Sequence, residues 1–308
     1  MRILVLGSTG YLGGAVMERL RALPGVRLLR GGRAPGDDLR IDLATITRGA
    51  LAEQLTRAAP DAVVNCAGAI GGSPLTLAEA NARGPAVLCE ALCAAVPTAR
   101  LVHLGSAAEY GPTGIGERTL EDSPARPVTP YGATKLAGTL AVVDSGLHAI
   151  VLRVTDPVGP GAAPAGLPGR LTAELRRAVA RTPHGTVRVG DLSAHRDFVD
   201  TRDVAQAVAQ ALTLPGRLPR LINIGSGRAV PARNLAHGLV VEAGFTGCVE
   251  ESLGTVGCAT AMPWQCADIS AAEWELDWRP RFTLRESLAA LWASDGAPRP
   301  TRAVGKPR

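Results

Sequence analysis

The chain has 308 residues, 46% of them hydrophobic, 20% charged and 3% aromatic, with a formal net charge of +5. That composition excludes disorder for the bulk of the chain and calls for a core of Leu, Val, Ile and Ala, in two domains or in one α/β unit with an appended lobe. No basic run interleaved with aromatics marks a nucleic-acid groove, and the longest uncharged apolar stretch, residues 62–78, carries Asn65, several glycines and Pro74, which excludes a membrane helix.

Arg2 to Leu6 holds four apolar residues before Gly7, too few for a signal peptide, and reads as a buried strand. A helical pattern runs from Tyr11 to Leu20, and Val26 to Leu29 reads as a second strand. Asp61 to Cys66 and Arg100 to Leu104 are further strands, separated by an expected helix over Thr76 to Ala95. Ala149 to Val154 is another strand. Alternating β and α units predict a parallel sheet covered on both faces. Residues 156–169 hold four prolines and four glycines and read as loop. Thr172 to Arg181 reads as helix and Leu221 to Gly225 as a late strand. The expected division is residues 1–155 with 196–225 returning to them, a smaller lobe of 156–195 and 226–293, and a disordered Pro-, Gly- and Arg-rich tail over 294–308. The six cysteines, at 66, 89, 93, 248, 258 and 266, form no Cys-x-x-Cys pair and no metal spacing, so free thiols in a reducing cytosol and no bound metal are expected.

Gly7-Ser8-Thr9-Gly10-Tyr11-Leu12-Gly13 follows a predicted strand and opens a predicted helix. Gly7 permits a tight turn, Gly10 lets backbone approach a pyrophosphate, and Gly13 lets helix and strand pack closely, so the loop reads as a dinucleotide site. An acidic residue about 20 positions on would take the ribose of NAD. The sequence there is Arg30-Gly-Gly-Arg33, whose two guanidinium groups suit a 2′-phosphate, so NADP(H) is the expected cofactor. Asp37 and Asp38 keep NAD(H) open if the second strand ends later.

Of the 33 basic residues only Lys135 and Lys306 are lysines. Lys135 lies four residues after Tyr131, on one face of a helix that Thr129-Pro130 would open. Chance gives about 0.02 such Tyr-x-x-x-Lys pairs in this composition. The chemistry needs the pair: a phenol with a reference pKa near 10 becomes a useful acid–base group only beside positive charge.

These motifs, together with Asp42-Leu43, Asn65-Cys-Ala-Gly68, Asn81-Ala-Arg-Gly84, Arg196-Asp-Phe-Val199, Asp203-Val-Ala205 and Asn223-Ile-Gly-Ser-Gly227, resemble the extended short-chain dehydrogenase/reductases, the NAD-dependent epimerase/dehydratase family. The resemblance spans residues 1–293 in order. It implies an α/β Rossmann doubly wound parallel sheet with a smaller C-terminal α/β substrate lobe, and a homodimer. It implies cofactor contacts at Gly7, Thr9, Gly10, Tyr11, Leu12, Gly13, Arg30, Arg33, Asp42, Leu43, Ala67, Gly68, Tyr131 and Lys135. It places a catalytic triad at Ser106, Tyr131 and Lys135, and substrate contacts at Ser106, Ala107, Asp156 and Arg196.

Two local departures narrow the function. Sugar-nucleotide dehydratases of this family carry Asp-Glu after the catalytic Ser/Thr, whereas this chain has Ala107-Ala108, so elimination lacks its acid and base. Gly105-Ser-Ala-Ala-Glu-Tyr-Gly111 looks instead like the nucleotide-4-keto-6-deoxyhexose reductases, with Glu109 read as a surface or structural charge. Asp156 and Val158 stand where nucleotide-sugar enzymes of the family carry Asn and an aromatic, and an anion there would repel a diphosphate. The expected function is an NADPH-dependent ketoreductase acting on a nucleotide-linked 4-keto-6-deoxyhexose, as in deoxysugar pathways of antibiotic biosynthesis. The alternatives are a nucleotide-sugar 4-epimerase with tightly bound NAD, and reduction of a polyketide or other natural-product ketone.

Overall fold

The computed structural model describes residues 1–162, 166–181, 184–251 and 262–294. β1 (Arg2–Leu6) leads into α1 (Tyr11–Arg21), followed by β2 (Arg27–Gly32), β3 (Leu39–Arg40), α2 (Arg48–Ala58) and β4 (Ala62–Asn65). α3 (Pro74–Ala78) continues through a π-helical turn at Glu79–Arg83 into α4 (Gly84–Ala95). Next come β5 (Arg100–Ser106), α5 (Pro130–Val143), β6 (Ala149–Val154), β7 (Asp156–Val158), α6 (Leu167–Arg181) and β8 (Thr186–Val189). β9 (His195–Asp200), α7 (Thr201–Thr213), β10 (Leu221–Ile224), β11 (Ala229–Pro231), α8 (Ala232–Ala243), β12 (Cys248–Glu251), α9 (Ser270–Leu276) and α10 (Leu284–Ala293) complete the described chain.

The large sheet has seven strands in the order β10-β6-β5-β4-β1-β2-β3. All its pairings are parallel. Side chains of β1 alternate between two cores, as the pleat requires. Ile3 and Val5 pack in the core that α1 and α7 cover, while Leu4 and Leu6 join Leu51, Leu88 and Val142 on the opposite face. A parallel sheet buried on both faces needs such continuously apolar strands. Chain order reverses between β1 and β4, which opens a crevice at the carboxyl ends of the strands. The sheet is the doubly wound one that the sequence implies.

A third core joins β7, α6, β8, β9, α8 and α10 through Val158, Leu175, Val187, Phe198, Leu235 and Leu288. Its strands form the small sheets β11-β9-β7 and β12-β8. The chain rejoins the layers of the large sheet at α7, because β9 pairs with β7 and β11. No helix among the described residues is long and apolar enough to cross a membrane. Cys66, Cys89, Cys93, Cys248 and Cys266 are unpaired, and Cys258 lies outside the described residues, as does the expected tail beyond Ser294.

Three boundaries differ from expectation. β2 runs on to Gly32 rather than stopping at Leu29, because Gly31 lies under the side chains of Leu4, Leu6 and Ile41 and accepts the Gly7 amide. Residues 156–169, expected as loop, contain β7 and the start of α6. Pro157 is tolerated because β7 pairs on one side only. The helix expected over Thr76–Ala95 widens into the π turn because Pro85 has no N–H to offer the Asn81 carbonyl. That freed carbonyl sits where a Cβ on Gly138 would come within 2.1 Å, so α5 crosses it closely.

Trp278 is 1% exposed and its indole N–H donates to Asp203 O at 2.9 Å. Asp203 Oδ2 in turn accepts the amides of Arg281 and Phe282, which ties the C-terminal segment to α7. Trp278→Ala is expected to cost about 3–5 kcal/mol, read as a lower urea midpoint with an unchanged slope.

Candidate active site

β1 ends at Gly7, which holds φ at +73°. A Cβ there would lie 2.8 Å from Ala67 N, and one on Gly13 would lie 2.0 Å from Gly7 O, so the loop has no room for side chains at either position. Gly10 caps α1 without any side-chain hydrogen bond, and the first turn holds no acidic residue. The amides of Tyr11, Leu12 and Gly13 therefore meet an anion with no internal competitor. Thr9 is exposed at the mouth of this turn, and the buried Ser8 hydroxyl has no partner among the described residues. Across the crevice, Asn65 Oδ1 accepts the Ala67 amide at 3.1 Å and fixes the Ala67-Gly68 turn. These features fit a dinucleotide pyrophosphate.

The two arginines at the end of β2 have separate fates. Arg30 is engaged: its Nη2 donates to Gly36 O and its Nε lies 3.8 Å from Asp38. Arg33 is exposed and makes no hydrogen bond or ion pair among the described residues. Asp37 Oδ2 accepts the Ala34 amide and occupies the space a side chain on Gly32 would take. Asp42 Oδ1 accepts the Ala44 amide, while Leu43 is 6% exposed and packs over Gly84.

Thr129 accepts the Gly132 amide at 3.0 Å and Pro130 opens α5, so the predicted cap sets the start of the helix. This start places Tyr131 and Lys135 one turn apart, with Tyr131 facing Ser106 at the end of β5. Ser106 Oγ accepts the Ala108 amide at 3.2 Å, which leaves its own proton to donate to a reacting oxygen. Burial raises the Tyr131 phenol above its ordinary value; the Ser106 hydroxyl pulls it down, and Glu109 and Asp156 push it up. Lys135 is 6% exposed, and Nζ donates to Leu104 O at 2.6 Å. Burial lowers its ammonium, against the carboxylate of Glu109 and Cys66, which raise it.

Ala107, 4% exposed, follows Ser106 in a single 3-10 turn. Asp156 opens β7 on the same side of the sheet. Its side chain is 43% exposed within the cleft, but Oδ2 is buried without a hydrogen bond. Desolvation raises this carboxyl to about 6, with Arg196 opposing. Arg196 Nε lies 3.8 Å from Asp156, and Nη1 donates to Met262 O and His195 O. Asp197 accepts the amides of Ser226, Gly227 and Ala267.

Glu109 was the least legible residue. It is not on the surface: its exposure is 0%, and it forms a 2.7 Å ion pair with Arg153. The Ser-x-x-Glu capping pattern from Ser106 to Glu109 carried the signal. His103 also escaped notice. It is fully buried, kept neutral by desolvation, and accepts at Nδ1 a hydrogen bond from Asn65 Nδ2 at 3.1 Å.

Comparison with known proteins identifies the family. The model of the NAD dependent epimerase/dehydratase family matches residues 3–225. A dTDP-6-deoxy-L-talose 4-dehydrogenase (NAD(P)(+)) of Kitasatospora kifunensis is 36% identical over 304 residues, 95% of either chain. A UDP-glucose 4-epimerase of Azospirillum brasilense is 30% identical over 271 residues, covering 77% of this chain and 76% of its own. The solved structure of MoeE5 in complex with UDP-glucuronic acid and NAD has a TM-score of 0.81 at 26% identity and covers 95% of this chain and 98% of that one. With a family model spanning well over half its length and a relative 36% identical over 95% of it, the chain belongs to the NAD-dependent epimerase/dehydratase family of enzymes.

Proposed function

We propose that this enzyme interconverts a nucleotide-linked 4-keto-6-deoxyhexose and its 4-hydroxy form, running as an NADPH-dependent reductase. The observation that carries the reading is the Tyr131 phenol beside the Ser106 hydroxyl, with Lys135 one turn behind it. The likeness to a 4-dehydrogenase of a dTDP-6-deoxyhexose supports the sugar class, since dehydrogenation at that carbon is the reverse of ketone reduction. Ala107 and Ala108 stand at the two positions where the family's dehydratases carry the Asp-Glu pair of the elimination.

The bound nicotinamide supplies the hydride. The chain's own residues handle the oxygen and the proton. Ser106 donates a hydrogen bond to the carbonyl oxygen, where negative charge develops. Tyr131 Oη delivers the proton to that oxygen as general acid, and the Lys135 ammonium stabilises the phenolate left behind. The amides of Tyr11 to Gly13 would hold the pyrophosphate, and Arg33, which has no partner among the described residues, would hold a 2′-phosphate. Asp156, paired with Arg196, meets the substrate as a near-neutral unit. That pairing relieves the repulsion an isolated carboxylate would exert on a diphosphate.

Three measurements test this reading. NADPH oxidation is expected with nucleotide-linked 4-keto-6-deoxyhexoses and not with free ketones. Tightly copurifying NAD with no net NADPH consumption would instead mark an epimerase, and turnover of free polyketide ketones would overturn the sugar assignment. Tyr131→Phe is expected to lower kcat by about 10²- to 10⁴-fold while cofactor binding, followed by nicotinamide fluorescence, stays unchanged. Arg33→Ala is expected to weaken NADPH binding roughly tenfold or more and leave NADH binding as it was, because only the phosphate loses a charge-assisted bond.

A further inference from the structure

One buried carboxylate stands directly behind this catalytic set, and the mechanism above does not use it. Glu109 Oε1 accepts the backbone amide of Ser106 at 2.7 Å and the hydroxyl of Thr139 at 3.0 Å. Its Oε2 accepts Arg153 Nε at 2.7 Å. Three elements converge on it: the end of β5 through Ser106, β6 through Arg153, and α5 through Thr139, one turn beyond Lys135. Space is made for it by Gly105, where a Cβ would come within 2.8 Å of Oε1. Gly105 and Arg153 are register partners across β5 and β6, so the glycine and the arginine face the same spot. The Arg153 guanidinium also lies 4.3 Å over the Tyr110 ring, and the Tyr110 hydroxyl donates to Asn223 on β10 at 2.7 Å.

We propose that Glu109 is a positioning residue of the active site: its carboxylate fixes the Ser106 backbone and sets a buried negative charge behind Lys135 and Tyr131. The proposal rests on the reading of Ser106, Tyr131 and Lys135 as the catalytic set. A purely structural ion pair would need only Arg153. Glu109 spends its other oxygen on the backbone of the residue that faces the reacting oxygen and on the helix that carries the acid and the ammonium.

The charge has a defined sign of effect. Glu109 raises both the Tyr131 phenol and the Lys135 ammonium. The other groups facing them are Ser106 and Asp156 for the phenol, and Cys66 for the ammonium. Asp156 titrates near 6, on the acid side of the profile. His103, which Lys135 helps to keep neutral, adds no charge. Glu109→Gln keeps the shape and removes the charge, so both Tyr131 and Lys135 lose their protons at lower pH. The alkaline limb of ketone reduction then moves down by roughly one pH unit.

The test has a readout that needs no substrate. Phenolate formation by Tyr131 is followed by ultraviolet difference titration of the Glu109→Gln protein against its Glu109→Gln/Tyr131→Phe counterpart. The wild type is titrated against Tyr131→Phe. The expected result is a Tyr131 midpoint about one pH unit lower in the Glu109→Gln background, with a parallel shift in the rate profile and a tenfold or greater loss in kcat. An unchanged midpoint and rate profile, with only stability lowered, would overturn the proposal. Should Glu109→Gln fail to fold, Glu109→Met/Arg153→Met replaces the whole pair by apolar groups, an exchange that buried ion pairs tolerate. That double variant is expected to show the same shift and loss; wild-type kinetics in it would reduce Glu109 to a structural partner of Arg153. Absence of turnover in the wild type bears on the substrate reading, whereas the titration bears on Glu109 alone.

Discussion

A carboxylate withdrawn from water must be matched group for group, and Glu109 is matched by an ion pair, a backbone amide and a hydroxyl. Removing one partner of such a pair typically costs about 3–5 kcal/mol, because the remaining charge stays buried and unanswered. The rest of the site depends on this constraint. The carboxylate sets where β5 ends, how Ser106 presents its hydroxyl, and how close α5 lies to β5 and β6. Arg153 passes the constraint on to Tyr110 and Asn223, so the edge strand β10 of the large sheet is tied to the turn after Ser106.

The large sheet supplies the second requirement, a crevice whose floor is backbone. Reversal of strand order between β1 and β4 leaves the loops after those strands facing each other. Gly7 and Gly13 then come so near to backbone that no side chain could stand there. The uncapped first turn of α1 opens into the same space. The other layer supplies a charged pair, where β7 and β9 set Asp156 against Arg196. The small sheet therefore brings two charged residues, 40 positions apart in the chain, to within 3.8 Å.

Much of this was legible in the sequence. The glycine loop between an apolar strand and a helix could be read because its chemistry is local: a tight turn, a close approach and a helix start within seven residues. Tyr131, Lys135 and the Thr129-Pro130 cap were legible for the same reason, since helical spacing alone puts them on one face. The end of β2 was not legible, because Gly31 and Gly32 read as a break and only packing under Leu4 and Leu6 keeps them in the strand. Nor did the sequence separate Arg30 from Arg33, although Arg30 is engaged with Gly36 and Asp38 and Arg33 has no partner among the described residues.

Lys135 is the sole lysine among residues 1–293 of an arginine-rich chain, and the sequence by itself determined that this lysine stands one helical turn after Tyr131. The strands and helices of the sheet were legible from apolar periodicity, and the family from the resemblance its motifs carry. Only the tertiary structure decided what surrounds them. Arg153 neutralises Glu109, Arg196 faces Asp156, and Pro85 frees a carbonyl for the crossing of α5. Those pairings join residues far apart in the chain. Their energies depend on burial and on partners that no spacing rule brings together, so the charges could be counted in the sequence but paired only in the fold.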